Sequence, residues 1–388
     1  MTTNTLTNLI PDAYAALDVV SRELAGLIPA VTVDASVNTA ALNQSVFVPV
    51  APTSNTATSI TPAMSVPAEA DQTIGSVEIK IDQQYAVPFS WSGSEQDGVN
   101  KGAGYLTIRQ NQIAQAMRTL VNKIELDLAN LYKKASRAAG TVTTTPFGSD
   151  LSGLYAARKI LVDNGGATSD IQCVIDTTAG AKLHTLYGIN GDRDNSAMAL
   201  QQQGVLISPS GIPIRESAQI VSATAGTMAL ATSTAAAFTV GQTVIPLATA
   251  GTGVVAAGDV ITFANDTNQY VVASATFAGA NPASGDTITL AAPGLRVAQG
   301  VATRAITVVA TGPRNMVFNR SAIVLATRMP ERPEEGDLAR DVMTITDPRT
   351  GLSFELSIYG GYRKVRYELA LAWGARCIKS EHSAILLG

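Results

Sequence analysis

The spacing of apolar residues predicts two helices in the first third of the chain. In residues 11–28, the apolar residues that recur at helical intervals are Leu17, Val20, Leu24 and Leu27. Residues 107–137 contain no Gly or Pro, and apolar residues step by three or four positions from Ile113 to Leu131. At 1.5 Å per residue this second helix would run to roughly 45 Å. The pattern therefore predicts a short helix on an N-terminal arm and a long helix inside the fold.

Alternation of apolar and polar residues predicts strands on both sides of a polar segment. The run "SVFVPV" at 45–50 alternates, and "SVEIKID" places Val77, Ile79 and Ile81 on one face. Between them lies the low-complexity run "APTSNTATSITPAMSVPAEADQ". The three pieces predict a long β-excursion. We expect it to lie on its own chain or on a neighbour, because an isolated two-stranded ribbon is marginal in water.

Mixed patterns follow over residues 150–222 and return after residue 312. "SDLSGLYAARKILVDNG" and "TTAGAKLHTLYG" predict helices, and "DIQCVID" predicts a buried strand between them. "GVLISPSGIPIRESAQIV" predicts strand, turn, strand. Near the end, strands are predicted for "NMVFNRSAIVLAT", "MTITD", "LSFELSIYG" and "KVRYELALAWGARCI".

A stretch with very little charge interrupts this α/β pattern. From Ser217 to Leu295 there is no Lys or Arg, and short β-prone runs recur roughly every 10 residues between 222 and 310. Gly241 and Pro246 are among the residues that would break a membrane-spanning helix, which needs about 20 apolar residues in succession. The pattern predicts an inserted β-domain, either a small sandwich or a barrel.

Composition changes this picture only moderately. Charged residues make up 15% of the 388, against a usual share of about 25%, which fits a surface covered by neighbours but also a low-charge enzyme. The net charge of −4 does not indicate tight binding to nucleic acid. Two buried thiols at Cys173 and Cys377 are a better interpretation than one disulfide. No Lys or Arg precedes Arg22, so the start lacks the positive region of a signal peptide, which predicts a protein made in the cytoplasm.

The sequence predicts no catalytic, cofactor or metal site. His184 is expected to be partly buried on a helix, and His382 is expected at the surface. "NGDRDNSAMALQ" has calcium-loop spacing but places Ala197 and Gln203 where Gly and Glu are required. "RMPERPEEGDLARD" is either a solvated loop or a salt-bridge patch between subunits. The candidate subunit-interface residues are Glu78, Lys80, Arg109, Arg118, Glu331, Arg332, Glu334 and Glu335.

The order of these parts resembles the major capsid (coat) proteins of tailed bacteriophages, and most closely those of short-tailed phages that carry an inserted β-barrel domain. The pieces that carry the resemblance are "SVEIKIDQQYAVPFSWSGSE" leading into the long helix, "GVLISPSGIPIRESAQI", "NMVFNRSAIVLATRMPERP" and "DPRTGLSFELSIYGGYRKVRYELALAWGARCI". None of them is a catalytic signature, so the ordered set carries the resemblance.

The resemblance implies an α+β fold of the phage HK-ninety-seven capsid type. Its parts would be an N-terminal arm (1–40), an extended β-loop (41–104), a peripheral domain (105–149) with a spine helix (107–137), an axial/peripheral α/β body (150–221), an inserted β-barrel domain (222–311), and the return to the axial and peripheral domains (312–388). The barrel would lie on the outer side of a shell, where it would stabilise the fold and guide assembly.

The function that the resemblance implies is structural. The chain would be a major capsid protein that self-assembles, as hexamers and pentamers, into an icosahedral bacteriophage head around double-stranded DNA. Its partners would be further copies of itself, a scaffolding protein, the portal, and DNA bound non-specifically, with no membrane and no cofactor. It would belong to the virion and be assembled in the cytoplasm of the host bacterium. The alternatives are the shell protein of a bacterial nanocompartment and a phage tail structural protein. An enzyme is not predicted.

Overall fold

Two β-sheets and one long helix organise the chain in the computed structural model. The model describes residues 16, 25–50, 62, 75–100, 105–142, 144, 146–190, 209–334, 336–347 and 350–388. Most of the predicted arm helix (11–28), most of the polar run at 51–72 and the first part of "GVLISPSGIPIRESAQIV" lie outside the described residues. So does most of "NGDRDNSAMALQ".

The described helices are α1 (Gly93–Asn100), α2 (Tyr105–Ala129), α3 (Ser152–Asp163) and α4 (Thr177–Asn190). The strands are β1 (Thr32–Ala40), β2 (Ser45–Val50), β3 (Gly75–Lys80), β4 (Gln83–Ser92), β5 (Arg137–Ala139), β6 (Ile171–Ile175), β7 (Ile214–Glu216), β8 (Ser222–Ala223), β9 (Val244–Pro246), β10 (Val260–Phe263), β11 (Gln269–Thr276), β12 (Thr287–Leu290), β13 (Ile306–Val308), β14 (Gly312–Asn319), β15 (Ile323–Pro330), β16 (Ala339–Thr346), β17 (Ser353–Gly361), β18 (Lys364–Cys377) and β19 (Ser383–Leu387).

The long helix is shorter than its predicted span of 107–137. Helix α2 ends at Ala129, a 3₁₀ turn covers Asn130–Lys134, and Arg137 already belongs to β5. The cause is tertiary: all three residues of β5 are buried, and the strand pairs with β11 on one side and β19 on the other. Sheet pairing thus ends a helix that the local periodicity would have continued.

The first sheet has the order β1-β15-β18-β17-β16 among the described strands, with β4 also paired to β18. The β4–β18 ladder runs antiparallel over ten residue pairs, from Lys364 opposite Ser92 to Trp373 opposite Gln83. The extended β-loop predicted for 41–104 therefore contributes its last strand to the sheet of its own chain. Strand β1, at the end of the predicted arm, runs parallel to β15 and closes the other edge.

The second sheet has the order β13-β10-β11-β5-β19-β14-β6-β7, with β8, β9 and β12 attached beside this path. The segment "NMVFNRSAIVLAT", predicted as one strand, is two: β14 lies in the second sheet and β15 in the first. The 3₁₀ turn Arg320–Ala322 separates them. This turn carries the chain from one sheet to the other, which period-two alternation alone does not reveal.

Helix α2 packs between the two sheets. Its apolar stripe, including Ile113, Met117 and Ile124, shares one core cluster with Leu369 and Trp373 of the first sheet. Met316 and Phe318 of the second sheet belong to the same cluster. A second cluster joins α3 and α4 to strands β6, β14 and β19. The helix is therefore the common support of both sheets, as the predicted position in the core requires.

Residues 222–311 form short strands around a core cluster of their own, which we call the β unit. Ladders join β13 to β10, β10 to β11, β11 to β12 and β12 to β9. Isolated bridges from Ser233 to Leu247 and from Thr232 to Ala305 then lead back to the start of β13. The pairings therefore follow a closed path, and β11 also pairs with β5 of the body.

Candidate assembly surfaces

A hairpin formed by β2 and β3, within the predicted β-excursion, is a separate two-stranded ladder. The two strands pair antiparallel over six residue pairs, and within the described residues neither pairs with any other strand. Ile79 of β3, with Val46 and Val48 of β2 beside it, packs against Val324 and Ala326 of the first sheet. The base of the hairpin therefore lies on its own chain.

The other face of this hairpin presents an aromatic side chain and charges to solvent. Phe47 is 64% exposed. Glu78, one of the predicted interface residues, is opposite Phe47 in the ladder and accepts a hydrogen bond from the hydroxyl of Ser45. Lys80, also predicted, is exposed at the end of β3. This face, which we call the outer hairpin face, combines a large apolar side chain with two accessible charges.

The two predicted arginines of the long helix are much less accessible. Arg109 is 7% exposed, and Arg118 is half-buried. Both side chains take part in interactions within the chain. In the folded subunit, α2 therefore offers little of either guanidinium to a second copy.

In the acidic-basic loop "RMPERPEEGDLARD", hydrogen bonds and ion pairs hold the side chain of Arg332 in position. Arg332 reaches Glu355 at 2.6 Å and Asp337 at 3.5 Å, and it also donates to the hydroxyl of Ser357. The hydrogen bond and charge of Glu355 raise the pKa of Arg332, so this guanidinium keeps its charge. Glu331 and Glu334 are exposed, whereas Glu335 lies outside the described residues. The arginine is thus bound within the subunit, and the exposed carboxylates remain accessible.

Beside this network the structure has a cleft of about 360 Å³, which we call the acidic cleft. It lies against the face of the first sheet that is turned away from α2. The acidic side chains that line it are Glu331, Asp337, Glu355 and Glu368, and the arginine that lines it is Arg332. Arg366, two residues before Glu368 on β18, forms a salt bridge with Glu368 at 2.5 Å. The cleft carries a surplus of negative charge.

The side chain of Glu125 anchors the arm, and this residue was not among the predicted interface residues. Its carboxylate is fully buried on α2 and accepts hydrogen bonds from the backbone N–H groups of Leu27 (2.9 Å) and Ile28 (2.8 Å). The hydroxyl of Ser217 donates a third, at 2.8 Å. Burial raises the pKa of Glu125, and the hydrogen bonds oppose that shift. This contact fixes the point at which the N-terminal segment leaves the body.

The few acidic residues of the β unit are used inside it. Asp286 accepts hydrogen bonds from the N–H groups of Ala278 (2.9 Å) and Ala283 (2.8 Å). Asp259 does the same for Gly226 and Ala256. Both carboxylates are buried. These two carboxylates therefore stabilise loops inside the β unit and are not available at its surface. The aliphatic side chains of Leu230 and Val301, in contrast, are 87% and 75% exposed.

The cysteines and histidines support no nucleophilic or metal chemistry in the described part of the chain. Both thiols are free. Burial raises the pKa of Cys173 to about 12 and that of Cys377 to about 11, which makes both poor nucleophiles at neutral pH. His184, which was predicted to be partly buried, is exposed, because α4 turns it away from the core. His382, which was predicted at the surface, is half-buried in a 3₁₀ turn.

Among the described residues, no group of three or more His, Cys, Asp or Glu side chains is placed to hold a metal ion. No helix in the same residues combines the length and the apolar character that crossing a membrane requires.

Comparisons with known proteins give structural matches only. No model of a protein family matches the chain, and no curated protein matches it. A capsid structure of the cyanophage P-SCSP1u is 14% identical, with 94% of this chain and 88% of that chain covered and a TM-score of 0.49. A structure from Mycobacterium phage Che8 is 10% identical, with 88% and 84% covered and a TM-score of 0.44. A virus-like particle from Pyrococcus furiosus is 10% identical, with 97% and 99% covered and a TM-score of 0.43.

Proposed function

We propose that this chain is the structural major capsid protein of a tailed bacteriophage, which self-assembles into an icosahedral head around double-stranded DNA. It acts as a building block and catalyses no reaction. The observation that carries the proposal is the β2–β3 hairpin, which packs on the first sheet with one face and presents Phe47 to solvent on the other. The solved structures that are similar to this chain include a cyanophage capsid, a structure from a mycobacterium phage and a virus-like particle.

The hairpin supports the proposal for an energetic reason. A two-stranded ribbon is marginally stable alone, and this one is stabilised by its own sheet on one face only. An exposed phenylalanine on the second face leaves apolar area in water, at a cost of about 25 cal/mol for each Å². A neighbouring subunit that covers the outer hairpin face removes this cost. Phe is among the residues enriched in protein–protein interfaces.

The same proposal assigns a role to each segment of the chain. We assign residues 1–40 to an arm, 41–104 to an extended loop, 105–149 to a peripheral domain, 150–221 to an axial/peripheral body, 222–311 to an inserted barrel and 312–388 to the return strands. The closed path of pairings in the β unit supports the barrel. A scaffolding protein, a portal and non-specifically bound DNA complete the proposed partners, and the proposed place of assembly is the cytoplasm of the host bacterium.

Sedimentation velocity and electron microscopy of the purified full chain test this function. We expect closed shells tens of nanometres across, alone or with the scaffolding protein from the same phage. Particles from infected cells should contain double-stranded DNA. A chain that remains a small soluble species in both conditions contradicts the proposal. Open tubes of fixed diameter indicate the tail alternative, and shells that never contain DNA indicate the nanocompartment.

A substitution at Phe47 tests the role of the exposed aromatic side chain of the β2–β3 hairpin. Phe47→Asp places a charge on the outer hairpin face and should reduce shell formation at least ten-fold while the subunit stays folded. Val162→Asp is the matched control, because Val162 is 43% exposed on α3, away from the hairpin. Equal shell yields from both variants would remove the hairpin from the proposed interface.

A further inference from the structure

The turn between β17 and β18 projects side chains that form no hydrogen bond or ion pair with the described residues. Tyr362 is 92% exposed, and Arg363 and Lys364 beside it are exposed. Neither cation forms a hydrogen bond or ion pair within the described part of the chain; the backbone carbonyl of Arg363 accepts the N–H of Gly93 at 3.3 Å. We call residues 362–364 the cationic tip. Tyr and Arg are among the residues that are enriched in protein–protein interfaces.

The backbone on both sides of the cationic tip is paired. The β17–β18 ladder continues without interruption to the pair Gly361–Lys364, directly below the turn. Arg363 adopts a left-handed backbone conformation (φ 56°), which few residues other than glycine take up. The sheet therefore sets the backbone position of Tyr362.

The acidic cleft is complementary to this tip in charge. Four carboxylates and one arginine line it, and that arginine is already bound to Glu355 and Asp337. The carboxylate of Glu331 is exposed, and the backbone N–H of Glu331 donates to the carbonyl oxygen of Ala40 at 3.3 Å. A volume of about 360 Å³ is at the lower end of the roughly 300–1,000 Å³ range of binding pockets, so it suits a side chain or two.

The tip lies beyond the cleft of its own subunit along the chain. Tyr359, on β17 and three residues before Tyr362, is one of the residues that line the cleft. At about 3.3 Å per residue, the chain carries Tyr362 about 10 Å beyond Tyr359. The tip is therefore placed to reach a second copy of the chain.

We propose that the cationic tip of one subunit docks into the acidic cleft of a second copy of this chain. This inference rests on the proposed function, because it names the charged contact that the assembly uses. Tyr362 would enter the cleft, and Arg363 and Lys364 would face Glu331 and Glu368. A contact between two different surfaces is head-to-tail, and repeated contacts of this kind build rings and lattices.

A charge exchange tests the docking. Arg363→Glu and Glu331→Lys should each weaken assembly about ten-fold in sedimentation velocity, because each places like charges in contact. The double variant should recover most of the assembly of the unchanged chain. Lys182→Glu is the matched control: Lys182 is an exposed cation on α4, far from tip and cleft in sequence, and its loss should change nothing. Single variants that assemble normally, or a double variant without recovery, overturn the proposal.

Cross-linking provides a second measurement that does not depend on the charge variants folding well. A mixture of Tyr362→Cys chains and Glu331→Cys chains should form disulfide-linked dimers under mild oxidation. A mixture of Tyr362→Cys and Lys182→Cys chains should not. The native thiols contribute little because their pKa values are raised. Equal cross-linking in both mixtures contradicts the docking alone, whereas an unchanged chain that never assembles contradicts the proposed function as well.

Discussion

The β unit and the first sheet use their charged residues in opposite ways. Residues 222–311 contain five charged residues, Asp259, Asp266, Asp286, Arg296 and Arg304, and the two buried aspartates bind backbone N–H groups of loops. The first sheet instead presents the acidic cleft and the cationic tip to solvent. In the β unit, two of the few charged residues stabilise loops from inside, whereas charged side chains of the first sheet are accessible to a second copy. We propose that directional contacts between copies use the charged side chains of the sheet.

Contacts made by the β unit and contacts made by the first sheet should also respond differently to salt. Contacts between exposed charges are screened over about 8 Å at physiological ionic strength, so contacts made by the sheet weaken as salt rises. The exposed surface of the β unit is aliphatic at Leu230 and Val301, and burial of such side chains is not screened. The three predictions below test the comparison at the level of single residues, from the largest expected effect to the smallest.

Loss of the arm anchor should have the largest effect. Glu125→Ala leaves three buried donors, on Leu27, Ile28 and Ser217, without their acceptor. At about 1 kcal/mol for each donor, the free energy of unfolding should fall by about 3 kcal/mol. Chemical denaturation followed by circular dichroism measures this change. Hydrogen exchange should show faster exchange at 27–28, and an unchanged rate there would contradict the role of Glu125.

Loss of a loop carboxylate in the β unit should have a smaller and more local effect. Asp286→Ala removes the acceptor for the N–H groups of Ala278 and Ala283, which should cost about 2 kcal/mol. We expect faster hydrogen exchange within 222–311 and little change in α2. Asp266 offers a comparison, since it lies at another loop of the same unit and accepts from Asn268. A uniform loss of protection across both sheets would show that the β unit is not a local unit.

The pH dependence of stability should show the smallest effect. Burial raises the pKa of Glu125, so the folded chain holds this proton more tightly than the unfolded chain. The stabilising contribution is complete below the ordinary pKa of 4.5 and is lost as the pH rises through the raised value. Glu125→Gln cannot titrate and should flatten the stability profile above pH 4.5. An identical profile for both proteins would assign the slope to other groups.

The sequence predicted the parts of the fold that depend on local periodicity. The alternation in "SVEIKID" and "KVRYELALAW" and the helical spacing after Ile113 correspond to β3, β18 and α2. The end of the long helix was mispredicted because β5 is recruited by β11 and β19, strands more than a hundred residues away. The division of "NMVFNRSAIVLAT" between two sheets also depends on distant partners.

The candidate surfaces were only partly predictable. A charged loop such as "RMPERPEEGDLARD" draws attention to Glu331 and Arg332, but the binding of Arg332 to Glu355 requires the fold. Arg109 looked like a surface residue and is buried. Glu125 had one signal: it falls four residues after the buried Val121 and three before the buried Leu128, so a carboxylate interrupts an apolar stripe. The donors that justify it lie about a hundred residues away in the chain.

An electron-microscopy reconstruction of the particles formed by the unchanged chain tests the account most directly. We predict a closed icosahedral shell in which the tip at Tyr362 of one subunit lies against the cleft at Glu331 of its neighbour, and the outer hairpin face is covered. A closed shell whose subunits touch only through residues 222–311 would contradict the division of roles between the two regions. A chain that forms no shell at all would contradict the proposed function.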